Sequence, residues 1–161
     1  MKLSFFLGIL ISSILIISCA TLKDPTIIKN DNIQKFRYVY ILPTNSLTSS
    51  SGITIGNQYY ASSKTVNPSD IISGILSKQG FIRFTDLKNE LLDETLIVNY
   101  GESGRRNTGL GGYTIEVTIQ FISAKSNTLI SSCSAEGQGS TEADDIRIAT
   151  NRCLNTLINQ K

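Results

Sequence analysis

The chain contains no histidine. That absence removes the commonest general base, the commonest metal ligand and the ordinary near-neutral pH switch. A Ser-His-Asp or Cys-His site is therefore impossible. Serine has no other visible activator either: no lysine follows a serine by three positions, and no Gly-x-Ser-x-Gly elbow occurs. Charge is scarce, at 17% of residues and a formal +2, so the basic excess of a nucleic-acid binder is missing and no nucleic-acid partner is expected. No Gly-Lys-Ser/Thr phosphate loop is present, and with only 3 cysteines no metal-ligand spacing exists. No cofactor and no metal are expected, and the chain reads as a non-enzyme. What remains is 161 residues, 40% of them hydrophobic, enough for one globular domain.

The N-terminus is read as a targeting segment. Lys2 supplies a positive charge, and an apolar run over residues 3–17 follows it. That run is too short to span ~30 Å of hydrocarbon comfortably, and no stop-transfer pattern follows. It ends in Ile16-Ile17-Ser18-Cys19, which resembles the bacterial lipobox: a branched apolar residue, a tolerant position, a small residue, then Cys. The resemblance implies that residues 1–18 are a signal peptide and that Cys19 becomes the N-terminal residue, carrying palmitate-type acyl chains. Several acyl chains anchor a protein where one holds only marginally. Ala20, rather than Asp, follows the Cys, which by resemblance to enterobacterial sorting favours the outer membrane. Residues 19–35 are polar, with Pro25 and Asn30-Asp31-Asn32, and are read as a flexible tether. Residues 36–161 then form a single domain.

Within that domain, residues 36–42 alternate aromatic and branched side chains on both faces, which predicts a central strand ended by Pro43. Residues 44–63 are rich in Ser, Thr, Gly and Asn and form the longest irregular stretch, with at most a short strand at 52–60. Asn67-Pro68-Ser69-Asp70 is a helix start: Asn caps, Pro fits the first position, and Asp70 favours the positive end. Ile71, Ile72, Ile75 and Leu76 form one stripe, and Gly80 suits a left-handed C-terminal position. Strands are expected at 81–84 and 95–100, with a loop or one helical turn at 86–94. Tyr113, Ile115, Val117, Ile119 and Phe121 alternate with Thr114, Glu116, Thr118 and Gln120, the period of a strand with one buried face. Ser126-Asn127 turns this strand back into residues 129–137, and Ser140-Thr141 opens a last helix. The expected fold is α+β: a mainly antiparallel sheet of four to five strands with two helices packed on one face.

Three groups of residues invite a functional reading. Asp86, Glu90, Asp93 and Glu94, and the cluster Glu142/Asp144/Asp145, are read as solvated charge and as stabilisers of a helix N-terminus. Residues 101–112 are glycine-rich and read as a hairpin connection; Arg105 and Arg106 within it are candidates for contact with an anionic partner. Cys133, on the last strand, and Cys153, on the apolar face of the last helix, are equally compatible with a disulfide and with buried thiols.

Leu96-Ile97-Val98-Asn99-Tyr100, the strand from Thr114 with Ile122-Ser123-Ala124-Lys125, Thr128-Leu129-Ile130 and Ala135-Glu136-Gly137 together resemble a further pattern. They are similar to a class of small envelope lipoproteins of unknown function common in Bacteroidota. The turn departs from that pattern, with Ser123 and Ser126-Asn127 where the class has Asp and Thr-Gly. The resemblance implies an envelope location and brings no catalytic residues. The favoured function is a lipid-anchored accessory or binding module acting on an envelope protein or glycan through its open polar sheet face and the glycine-rich loop at 101–112. That face is Thr114, Glu116, Thr118 and Gln120 with Ser132, Ser134 and Glu136. The alternative is a carboxylate-based hydrolase of envelope glycans, which would need two carboxyls in a cleft.

Overall fold

The computed structural model describes residues 21–109 and 112–159. Residues 1–18, read as a signal peptide, and Cys19 and Ala20 lie outside the described residues. Eight strands and two α-helices are formed among the described residues. In chain order they are β1 (Thr26–Lys29), β2 (Tyr38–Ile41), β3 (Leu47–Ile55), β4 (Gln58–Val66), α1 (Pro68–Lys78), β5 (Ile82–Phe84), β6 (Thr95–Gly109), β7 (Gly112–Ser123), β8 (Leu129–Gly137) and α2 (Glu142–Asn159). Short 3-10 turns at Ile33–Lys35 and Asn89–Glu94 precede β2 and β6.

The fold is α+β, but the sheet is larger and more mixed than expected. Six strands pair in the order β1-β8-β7-β6-β2-β5, while β3 and β4 form a separate two-stranded hairpin. Strands β6, β7, β8 and β1 are antiparallel, whereas β2 runs parallel to both β5 and β6. The parallel pairing follows from the connection: β2 returns to β5 through a helix, and a crossover of that length is what parallel neighbours require. The sixth strand comes from the segment read as tether. Ile27 pairs with Cys133 and packs on the core, so β1 closes the sheet edge and residues 26–29 belong to the domain.

Alternation places Val39, Ile41, Leu96, Val98, Ile119, Phe121 and Cys133 on one face of the sheet. Ile72 and Leu76 of α1, and Cys153, Leu154 and Leu157 of α2, close over them in the main core. A second apolar cluster joins Ile115 and Val117 to Ala143, Ile146 and Ala149 of α2 and to Val66 of β4. Both helices therefore lie on the same face and touch each other.

Local chemistry sets the helix ends. Asn67 Oδ1 accepts from Ser69 N–H at 3.1 Å and from Thr44 Oγ1 at 2.6 Å, with Pro68 at the first helical position. At the other end Gly80 has φ +91°, its N–H donates to the Ser77 carbonyl, and Phe81 N–H donates to the Leu76 carbonyl. This is a Schellman ending, and Phe81 and Leu76 both enter the core beneath it. Thr141 caps α2, its Oγ1 accepting from Asp144 N–H.

Candidate functional site

Residues 101–112, expected as a turn region, are mostly strand: β6 continues to Gly109 and pairs with β7 through bulges at Glu102/Gly104 and Asn107/Gly109. Extended backbone sends adjacent residues to opposite faces. Arg105 accordingly reaches the helix side, where it ion-pairs with Glu142 and lies 5.3 Å above the Tyr113 ring. Arg106 reaches the outer face and grips Glu136 with two hydrogen bonds, Nε to Oε1 at 2.8 Å and an Nη to Oε2 at 2.6 Å. The two arginines are thus engaged by carboxylates of the same chain.

Glu136 is the centre of this arrangement. It is only 2% exposed, and it also accepts the Lys23 backbone N–H at 3.0 Å. The Arg106 hydrogen bonds hold its carboxyl down at about 2, with the Lys23 N–H adding to the effect. Glu116 stands directly opposite on β7, a like-charge pairing that would be unfavourable alone. Arg106 offsets it, and Ser103 Oγ donates to Glu116 at 2.8 Å. Held down in this way, Glu136 is an anion near neutral pH and has no proton to donate there. Around it the segment leading into β1 is stitched down: Arg106 donates to the Thr21 carbonyl, and Arg152 donates to the carbonyls of Lys23 and Glu136.

The first turn of α2 sits at this same end of the domain, just after β8. Its acids are all engaged. Glu142 pairs with Arg105, and Asp145 accepts the Gly139 N–H while burial raises its pKa. Asp144 binds Lys64 at 2.7 Å and Ser140 at 2.7 Å, the Lys64 contact chiefly holding it down at about 2. Among the described residues no cluster of His, Cys, Asp and Glu suits a metal ion. Asp86, Glu90, Asp93 and Glu94 are exposed around the second 3-10 turn, where Asp93 pairs with Lys125 at 2.6 Å. A groove of about 420 Å³ at the far end, beside Asp31, Gln79 and Leu157, is lined by a single carboxylate, already paired with Lys35.

Cys133 and Cys153 are bonded as a disulfide, with Cα atoms 5.4 Å apart, tying β8 to the middle of α2. The outer sheet face collects the expected polar residues: Glu116 opposes Glu136, Thr118 opposes Ser134, and Gln120 opposes Ser132. They bond laterally, Thr118 to Ser134 at 2.7 Å and Asn99 to Gln120 at 3.3 Å. Towards β5 the same face turns aromatic, where Tyr38 and Phe84 stack at 4.6 Å and Lys88 caps the Phe84 ring at 4.8 Å.

The feature the sequence reading missed is the arm formed by β3 and β4. Nine residue pairs run from Leu47↔Val66 at the base to Ile55↔Gln58 at the tip. Gly56, at φ +63°, is the first of two loop residues, the position where a type II′ turn needs glycine. The Gly56-Asn57 dipeptide was the available signal, lying inside the stretch expected as one short strand. The base is pinned to α2: Ser49 Oγ accepts from Ala143 N–H at 3.0 Å, and Lys64 reaches Asp144. The tip carries Ile53, Ile55, Tyr59 and Tyr60, all more than half exposed and half of the exposed large hydrophobic side chains described. No helix among the described residues is long and apolar enough to cross a membrane. Comparison with protein-family models, with curated proteins and with solved structures finds no match.

Proposed function

We propose that the chain is a lipid-anchored protein of the bacterial cell envelope, held at the outer membrane through Cys19. It works by binding an envelope protein or glycan rather than by catalysis. The observation that carries the binding role is the one-sided sheet. Both helices cover one face, and the other carries a half-buried hydrogen-bonding ladder of Asn99, Thr118, Gln120 and Ser134 beside the Tyr38–Phe84 stack, with Thr114, Ser132 and Glu136 buried. Polar groups next to an aromatic platform suit a partner with hydroxyls or amides and apolar edges. The anchor reading rests on Ile16-Ile17-Ser18-Cys19. It is supported by a domain that begins almost at once, with Thr21 already bonded to Arg106.

Photo-crosslinking in intact cells tests this. A crosslinker placed at Tyr40 or Gln120, on the outer face, is expected to give defined adducts, and Cys19→Ser is expected to abolish them by releasing the protein from the membrane fraction. The same adducts formed from Asn155, exposed on α2, would contradict a role for the sheet face.

A further inference from the structure

We infer that the tip of the β3–β4 arm inserts into the surface of the bilayer that carries the lipid anchor. The inference rests on the lipoprotein reading of Cys19 and adds a second, protein-borne membrane contact.

Three independent observations converge on one end of the domain. The first is direction. Along β4 from Thr65 to Lys64, the partners on α2 move from Arg147 to Asp144, so the arm advances toward the N-terminus of α2 and then beyond it. That N-terminus follows the end of β8, where Thr21 and Lys23 are bound to Arg106 and Glu136. Only Ala20 separates Thr21 from Cys19, a reach of about 7 Å. The arm and the chain's exit toward the anchor therefore leave the domain on the same side.

The second is charge. No charged residue stands between Arg37 and Lys64, and Lys64 is neutralised by Asp144 at the base of the arm. The hairpin thus meets lipid with no charge to desolvate; its backbone, its hydroxyls and the amides of Asn57 and Gln58 at the turn are its polar groups, and Gln58 Oε1 already accepts from the Tyr60 hydroxyl at 2.6 Å.

The third is the distribution of apolar groups. Ile53, Ile55 and Tyr60 share the face continuous with Leu47 and Val66 at the base. Tyr59 lies on the opposite face with its ring across Gly52, where a Cβ would collide with the Tyr59 hydroxyl. Apolar side chains on both faces of a thin ribbon fit a medium that surrounds it, whereas a protein partner covers one side. The serines below, Ser49 to Ser51 with Ser62 and Ser63, mark where the apolar tip ends. The tip spans about 13 Å at strand rise, and tyrosines prefer the headgroup level. Its open hydrogen-bonding edges keep insertion shallow, at the boundary of headgroups and acyl chains.

The test uses the full-length protein purified from membranes and reconstituted in phosphatidylcholine vesicles with brominated acyl chains. With Cys19 acylated and Cys133 bonded to Cys153, Ile53→Cys introduces a single reactive thiol for an environment-sensitive dye. Ser126→Cys, in the turn at the opposite end of β7 and β8, is the control. Emission from residue 53 is expected to shift to the blue and to be quenched several-fold more than emission from residue 126. Water-like, equally unquenched emission from both positions would overturn the inference. Energy transfer between dyes at residue 53 of different copies, without bromine quenching, would overturn it in favour of self-association. Dye uptake by the unsubstituted chain at Cys19 would instead defeat the anchor reading, and the two failures are thereby distinguished. Ile55→Cys repeats the measurement two pairs nearer the turn.

Discussion

Arg106 holds both carboxylate oxygens of Glu136, a side chain 30 residues later in the sequence and only 2% exposed. Glu136 also takes the N–H of Lys23, so this one pair joins the long β6–β7 hairpin, the end of β8 and the segment leading into β1. Removing one member of a buried pair leaves the other uncompensated, which is the costly event. Glu136 has a folded-state pKa of about 2, below its ordinary value of 4.5. Its contribution is therefore fully present above 4.5 and is lost as pH falls toward 2. Denaturant midpoints measured from neutral pH downward are expected to fall more steeply for the wild type than for Glu136→Gln, which starts less stable. Parallel pH profiles would contradict this role.

The adjacent arginines are expected to separate in their effects. Arg106→Ala strands a buried carboxylate and should lower the melting temperature clearly. Arg105→Ala breaks a surface pair with Glu142 and should lower it little. Thermal melts of the two single variants decide this; equal losses would mean that both pairs matter alike.

Reducing the Cys133–Cys153 bond is expected to cost about 3 kcal/mol, the loop-closure term for a separation of 20 residues. Urea titration with and without reductant measures it, with Cys133→Ser/Cys153→Ser as the control that reductant should not affect. A midpoint unchanged by reduction would contradict it.

Gly80→Val should destabilise the protein by about 1 kcal/mol or more, because φ there is +91°. Gly80→Asn, which tolerates the left-handed region better, should recover part of the loss. Equal midpoints for Val and Gly at this position would count against the Schellman ending as a source of stability.

What could be read in advance follows the strength of local chemistry. α1 was legible at both ends, since Asn67-Pro68 and Gly80 each solve a backbone problem at a helix terminus. β7 was legible because its alternation is unbroken, and the cross-strand grouping of Thr118 with Ser134 followed from it. β1 was not, because four residues with polar flanks become a strand only through the edge that β8 offers. Parallel pairing of β2 was equally hidden, since the same apolar pattern serves either direction. In β6 the glycines suggested a turn, but pairing with β7 overrode their weak strand preference. That misreading is why Arg105 and Arg106 looked free. The arm escaped because its serines and threonines resemble loop composition, and its structure comes from the Gly56-Asn57 turn and from contacts with α2 that lie far along the chain.

The most direct measurement is the intact mass of the protein extracted from the membrane fraction. The expected mass is that of a chain beginning at Cys19 with acyl chains attached, and Cys19→Ser should abolish that species. A membrane-fraction protein beginning elsewhere, or beginning at Cys19 without acyl mass, would contradict the lipid-anchored reading.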